Sequence, residues 1–353
     1  MHHLLQPDPQ PLTDWLAQHG QPAYRADQIR KWLFARRAGS LEEMTDLPTS
    51  LRSALAEDFR IWTTRIVAHR RAGDGTEKLL LELADGGQIE CVLLRDGPRR
   101  TICLSTQVGC AMGCVFCASG LDGVERNLTA CEIVEQMLQL QRLLEQDERL
   151  SHIVMMGMGE PLANLDHLLP ALELASSPTG LAISARRITI STVGLPKAIH
   201  RLADGQCRYH LAVSLHAADD ALRSKLVPVN KSAGLDQILA AADRYFDVSG
   251  RRLTFEYVLL AGVNDHDAHA HDLAKLLRGR AALVNLIPFN PVKGLPYRTP
   301  SGRSTAQFRQ ILELGGLTVK TRQRKGERIN AACGQLRRAS LSVNDPVQIA
   351  PDS

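Results

Sequence analysis

Cys110-Ala111-Met112-Gly113-Cys114-Val115-Phe116-Cys117 puts three thiols within eight residues, in the spacing Cys-x3-Cys-x2-Cys, in a chain that has eight cysteines. Thiolates this close repel one another unless a cation shares their charge, so the run reads as a metal centre. Structural zinc takes four closed ligands and iron–sulfur clusters usually take four cysteines, yet this run stops at three. Two readings follow. A cluster held by three thiolates keeps one iron open for a small molecule, whereas a zinc ion would need Cys103, Cys131 or a distant histidine to complete its shell.

The sequence on either side of the run alternates between two periods. Thr101-Ile-Cys-Leu-Ser has β character, and the stretch from Thr129 to Leu144 has the spacing of an amphipathic helix. Strand-like segments recur at 152–156, 187–191, 210–215, 253–260 and 282–287, mostly followed by turn chemistry and a helix. Six such strands are too few for a closed eight-stranded barrel. The expected fold class is α/β, a partial (βα)6 barrel over residues 99–320. Its concave site belongs at the C-terminal strand ends, where Gly159, Glu160, Ser191, Ser214, His216 and Asn290 fall.

Upstream, residues 1–62 read as a small helical module. Ile29, Trp32 and Leu33 recur at helical spacing, and Ser40-Leu-Glu-Glu43 has the form of a capping box that would start a further helix. The opposite face of the second helix carries Arg25, Arg30, Lys31, Arg36 and Arg37, either a solvated face or a surface for phosphates. Residues 63–98 hold three short β-rich runs separated by Asp74-Gly75 and Asp85-Gly86-Gly87, a small antiparallel extension. Glu90 lies in the last of them among apolar neighbours, on the outward side of an alternating strand unless it has a function. Downstream, residues 321–353 form a C-terminal segment in which the basic run 320–328 precedes Cys333. That suits an anionic substrate brought to a thiol, or equally an exposed solubilising loop; from residue 340 the chain should fray.

With 353 residues and 44% hydrophobic content the chain can bury a large core, built from aliphatic side chains because aromatics make up 4%. A net charge of +4 permits a nucleic-acid partner without demanding one. The N-terminus lacks a signal-peptide pattern, and no segment approaches the roughly 18 apolar residues of a membrane span. Cysteines without a secretion signal point to a reducing compartment, hence a cytoplasmic protein with no membrane.

Together the motifs resemble the radical S-adenosylmethionine (SAM) superfamily, through the cysteine run and the Gly159-Glu160-Pro161 turn after the second strand. Tyr24-Arg-Ala-Asp-Gln-Ile, Ser105-Thr-Gln-Val-Gly-Cys, Met156-Gly-Met-Gly-Glu-Pro, Ser214-Leu-His, Asn285-Leu-Ile-Pro-Phe-Asn-Pro and Ile329-Asn-Ala-Ala-Cys-Gly-Gln-Leu are similar to the RlmN/Cfr family of 23S ribosomal RNA adenosine methyltransferases, over residues 12–337. The resemblance implies that Cys110, Cys114 and Cys117 hold one 4Fe–4S cluster whose open iron chelates SAM. It implies that Gly159, Glu160, Ser191, Ser214, Leu215, His216 and Asn290 form the SAM pocket. Cys333 would be methylated by a first SAM and lose a hydrogen to the radical from a second, two SAM per turnover. Cys103 would resolve the resulting protein–RNA crosslink by forming a disulfide with Cys333, and Glu90 matches the position of the proton acceptor.

The resemblance further implies a monomer served by an external electron donor such as flavodoxin. Gly159-Glu-Pro161 and Ile287-Pro-Phe-Asn-Pro291 favour RlmN-type methylation at adenine carbon 2 over Cfr-type methylation at carbon 8, and leave transfer RNA open as a second substrate. One departure is Arg322-Gln-Arg-Lys-Gly-Glu-Arg, more basic than the acidic form of many members, which bears on substrate preference. A reading of a different class is a non-catalytic, zinc-stabilised RNA-binding protein. Cys91, Cys131 and Cys207 match none of these roles and read as small apolar side chains.

Overall fold

The structure, a computed structural model, describes residues 2–322, 326 and 329–336. Ten strands form one mixed sheet: β1 (Arg65–Arg71), β2 (Glu77–Glu82), β3 (Gln88–Asp96), β4 (Arg99–Cys103), β5 (His152–Met155), β6 (Ile188–Thr192), β7 (His210–Ser214), β8 (Leu253–Leu259), β9 (Ala282–Pro288) and β10 (Thr318–Thr321). They lie side by side in sequence order. Pairings from β1 to β4 are antiparallel, and every pairing from β4 to β10 is parallel. Helices α1 (Gln10–Gln18), α2 (Tyr24–Arg30) and α3 (Thr49–Asp58) precede the sheet. The parallel strands are joined through α4 (Ala130–Gln141), α5 (Leu165–Ser176), α6 (Pro196–Asp204), α7 (Asp220–Leu226), α8 (Leu235–Ser249), α9 (Asp267–Leu276) and α10 (Gly302–Leu314). The partial (βα) barrel is present, with the antiparallel extension continuing its sheet.

Parallel strands covered by packed side chains on both faces usually read as continuous apolar runs. These alternate. Ile102, Ile153, Ile188, Ile190, Leu211, Val213, Phe255, Tyr257, Val284 and Leu286 are buried in the main core, each contributing about 1.5–3 kcal/mol. The intervening Thr101, Val154, Thr189, Thr254, Leu283 and Asn285 line a cavity inside the barrel. One face therefore packs and the other encloses a polar lumen, as period-two alternation requires.

Two expectations need correction. Residues 318–321 add a seventh parallel strand beyond the six expected; at four residues it is too short to stand out from the basic tail. Ser40 starts no helix, because the Glu43 side chain accepts from the Gly39 amide and residues 40–47 form turns instead. The capping box that does form is Thr129 with Glu132, at the start of α4.

The basic face of the second helix is largely consumed within the protein. Arg30 is buried and donates to the Gln6 and Pro7 carbonyls. Arg36 stacks on Trp32 at 4.1 Å and pairs with Asp46, while Arg37 donates to the carbonyls of Leu144, Glu145 and Glu148. Arg25 bonds Gln28 and the Asp46 carbonyl.

Glu135 of α4, fully buried, joins the module to the barrel. It accepts from His3 Nε2 at 2.6 Å, from the Thr63 and Thr64 amides at 2.8 and 2.9 Å, and from both threonine hydroxyls. Glu135→Ala strands these donors and should cost about 3 kcal/mol in urea denaturation; a loss below about 1 kcal/mol would mean that the network does not hold the junction.

Candidate functional site

The cysteine run leaves β4 through a two-stranded hairpin, Gln107–Gly109 against Val124–Asn127. Gly109 has φ +78°, and a Cβ there would lie 2.0 Å from the Gly123 carbonyl oxygen, so only glycine permits this turn. The Cys110 amide donates to Gly123, Val115 to Leu226, and Ala118 to Gly334. An apolar cluster that includes Phe116, Val193, Leu226, Val227 and Phe289 packs around the run, with Met112 and Val115 against it. The loop is thus tied to the end of α7 and to the C-terminal segment beyond Cys333.

Cys110, Cys114 and Cys117 line one chamber. Burial pushes Cys110 up to about 12, with Cys117 and Glu160 adding to it. Cys114 is raised well above the usual thiol range by burial, then by Cys117 and Cys110, and Cys117 is raised by burial. Three mutually repelling buried thiols can ionise together only around a cation. Among the described residues no three Cys, His, Asp or Glu side chains converge on a single-ion site. Three cysteine donors on the wall of an open chamber fit an iron–sulfur cluster that keeps one iron free for a ligand.

Six of the seven expected cofactor residues share the chamber: Gly159, Glu160, Ser191, Ser214, His216 and Asn290. Leu215 does not. It is buried, its amide donates to the Glu256 carbonyl and its own carbonyl accepts from Arg223. Gly159 has φ +100°, and a Cβ there would meet Gln107 at 2.7 Å. Glu160 accepts from the Leu162 and Val193 amides at 3.0 and 2.9 Å, yet burial still raises its carboxyl to about 7.

His216, at φ +63°, accepts the Val258 amide on Nδ1 at 3.0 Å, which puts its ring proton on Nε2. Burial, then Arg223, lowers it to about 3, so it is neutral at physiological pH. Asn290 donates to the Cys333 carbonyl at 3.1 Å, while its buried Oδ1 has no partner among the described residues, an acceptor suited to a ligand donor. The fully buried Arg223 donates to Val193, Ser214, Leu215 and Asn230 and so braces the ends of β6 and β7; Cys114 is near enough to raise it against its burial.

Cys333 belongs to two chambers. It lines the small one with the cluster thiols, about 150 Å³, and the lumen cavity of about 700 Å³. Met156, Glu256, Ile287 and Asn290 are the other residues common to both. Cys103, on β4, lines neither; burial, then Cys333, pushes its thiol up to about 12. All eight cysteines are free thiols.

Glu90 is buried rather than outward, and it ion-pairs with Lys78 at 2.6 Å instead of lying only among apolar neighbours. Lys78 also donates to the Asn330 carbonyl, three residues before Cys333. Glu90 lines neither chamber, so the structure does not bring it into contact with the space beside Cys333.

Sequence reasoning did not single out Lys78, Arg223, Glu256 or Arg322. Arg322 is raised chiefly by Cys333, then by Glu256 and Cys103 against its burial, so a cation of the basic run stands beside the thiol. Glu256 accepts from Asn285 at 2.7 Å and is raised to about 7 by burial, with Arg322 opposing. A glutamate at a lumen-facing position of Leu253-Thr-Phe-Glu-Tyr-Val was the available signal. Of the remaining basic run, residues 323–325, 327 and 328 lie outside the described residues, as does the tail from 337 that was expected to fray.

Residues 104–274 match the model of the Radical SAM superfamily, and residues 2–61 that of the ribosomal RNA large subunit methyltransferase N-terminal domain. The chain is 65% identical over 337 residues to a probable dual-specificity RNA methyltransferase RlmN of Rhodopirellula baltica, covering 96% of this chain and 91% of the relative. It is 47% identical to the protein so named in Moorella thermoacetica, covering 95% and 97%. A crystal structure of a radical SAM methyltransferase from Sphaerobacter thermophilus superposes with a TM-score of 0.92 at 44% identity, covering 96% of this chain and 99% of that one.

Proposed function

The chain belongs to the RlmN family of radical SAM RNA methyltransferases, and from that premise we propose that it methylates carbon 2 of an adenine in 23S ribosomal RNA, with transfer RNA as a second candidate substrate, through an S-methyl intermediate on Cys333. The observation that carries this reading is the position of Cys333, the cysteine shared by the thiol-lined chamber and the lumen. A cysteine that only completed a metal shell would not need the second chamber.

Cys110, Cys114 and Cys117 would hold the 4Fe–4S cluster, with Arg223 as a buried cation near Cys114. When bound, the cluster supplies the electron that splits SAM into methionine and a 5′-deoxyadenosyl radical. Glu160 would take the SAM ammonium, and Asn290 Oδ1 and His216 Nε2–H offer an acceptor and a donor along the pocket. The Cys333 sulfur, with Arg322 beside it, would attack the methyl of a first SAM and release S-adenosylhomocysteine. The S-methyl group then gives up a hydrogen to the radical from a second SAM, and its carbon adds to the adenine.

Such a step reaches a ring carbon that has no nucleophilic character of its own. The radical adduct would give up one electron, which the oxidised cluster could accept, and its ring proton. Cys103 as a thiolate would then attack the Cys333 sulfur; the released carbon takes a proton to become the methyl group, and a disulfide is left to be reduced before the next turnover. Glu90, paired with Lys78 and lining neither chamber, would receive the proton lost from the ring through an intervening group rather than by direct contact. An external reductant such as flavodoxin and a cytoplasmic setting complete the proposal.

Two outcomes test the site directly. Anaerobically purified protein should be brown and carry near-stoichiometric iron and sulfide, and Cys114→Ala should lose both; a colourless zinc protein would overturn the reading. Glu160 must be ionised to hold an ammonium, and its folded value near 7 is raised. SAM affinity should therefore be full above pH 7 and weaken about tenfold per unit below it, while Glu160→Gln binds weakly without that slope. Calorimetric titration between pH 5.5 and 8.5 reads the difference, and a flat profile for the wild type would count against Glu160 as the ammonium partner.

A further inference from the structure

In a parallel barrel all strands begin on one face, here the face opposite the cysteine loop. Counting back by two from the lumen-facing Thr101, Thr189 and Thr254 reaches Arg99, Arg187 and Arg252, at or just before the starts of β4, β6 and β8. Arg208 stands two residues before the start of β7. All four are exposed, and Arg187, Arg208 and Arg252 form no ion pair with a carboxylate among the described residues.

Arg99, Arg187 and Arg252 stand close enough to act on the two histidines at the strand starts. His152, at the start of β5, is lowered to about 4 by burial, then by Arg99 and Arg187. His210 is lowered by burial, with Arg251 and Arg252 contributing. The arginines of the N-terminal module are engaged in internal contacts; at the barrel mouth Arg99 faces Asp96 and bonds Thr101, while Arg187, Arg208 and Arg252 leave their charge exposed.

The mouth opens on the larger cavity. Arg99 lies on its wall with Thr101, Thr189 and Thr254, and the other end of the same space reaches Cys333. Its volume, about 700 Å³, is within the range of sites that enclose a small organic ligand. The thiol-lined chamber approaches the same sulfur from the C-terminal side.

We infer that RNA docks on the N-terminal mouth of the barrel, where the arginine collar holds phosphates flanking an adenosine that enters the lumen toward Cys333. The inference rests on the proposed function and adds the docking surface and the direction of entry. Flanking phosphates hold register without reading sequence, and an adenine must leave its stack to reach a sulfur inside a barrel. Base and SAM would then meet at Cys333 from opposite ends, so neither has to leave for the other to bind.

Binding of a fluorescein-labelled RNA stem–loop with an unpaired adenosine to the intact holoprotein, followed by anisotropy over a salt series, tests this. Arg187→Gln/Arg252→Gln should bind at least tenfold more weakly, and its log–log salt slope should fall by about 1 to 2, near 0.7–0.9 per phosphate contact removed. Lys31→Gln/Lys197→Gln removes the same charge from the N-terminal module and from the opposite end of the barrel, and should bind within twofold of wild type. An unchanged slope in the arginine pair, or a larger loss in the lysine pair, overturns the inference. If the wild type neither binds nor methylates RNA, the functional reading fails and takes the inference with it. If the wild type methylates while the arginine pair keeps its slope, the inference alone fails.

Discussion

Cys333→Ala should reduce RNA methylation to background while leaving iron content, sulfide content and SAM binding within error of wild type. The contrast follows from position. Cys333 shares the chamber with Cys110, Cys114 and Cys117, but the cluster run is held by its own hairpin and by carbonyls of Gly123 and Leu226. Its remaining tie, from the Ala118 amide to the Gly334 carbonyl, and the Asn290 bond to Cys333 both use backbone oxygens that alanine keeps. Truncating a half-buried thiol to a methyl group therefore removes one sulfur without unseating the loop. A drop in iron of more than about half would make Cys333 a fourth ligand and revive the zinc-type reading. Methylation at more than a few per cent of the wild-type rate would remove the sulfur from the reaction path. Assaying bound iron, SAM affinity and methylated RNA on the same preparation separates these outcomes.

Cys103→Ala should accumulate a covalent complex between Cys333 and RNA under turnover, visible as a protein band that shifts on a denaturing gel and collapses with ribonuclease. Cys103 is buried on β4, with Val154 beside it on β5 and Val92 on β3, and Cys333 is the strongest charge acting on it. Burial pushes its thiol up to about 12, so at neutral pH it is protonated and a poor nucleophile until something takes the proton. Arg322, which lowers Cys103 and is itself raised by Cys333, is positioned to stabilise the thiolate once formed. With alanine at 103 the crosslink has no internal thiol to break it. Near-normal turnover without adduct would assign the resolving step to another group.

The cluster run was legible because spacing alone restricts what three thiols can do, and the barrel was legible because Arg187-Ile-Thr-Ile-Ser and Leu253-Thr-Phe-Glu-Tyr-Val carry a period of two. The alternation also held information left unread, since polar residues on one face of a parallel sheet imply a lumen rather than a packed core. Strand β10 escaped because four residues with one cation and no apolar run give little signal; its place is set by pairing with β9. Ser40 misled because a capping box needs a helix to follow, and Glu43 instead satisfies Gly39. The arginines of the second helix looked like a phosphate surface because sequence shows charge without partners. Arg30, Arg36 and Arg37 find theirs in segments up to 111 residues away. Lys78, Arg223 and Arg322 were invisible for the same reason, each defined by what the fold brings beside it.

In the proposed reaction the methyl group passes through Cys333 as a carbon radical rather than moving directly from SAM to the base. Supplying SAM with a fully deuterated methyl group and analysing the modified adenosine by mass spectrometry tests it most directly, with product fragmentation locating the substituted carbon. Because the S-methyl group loses one hydrogen to the 5′-deoxyadenosyl radical before its carbon bonds the ring, the new methyl at carbon 2 should retain two deuterium atoms of the original three. A product methyl that keeps all three, or that forms at an unchanged rate in Cys333→Ala, would contradict it.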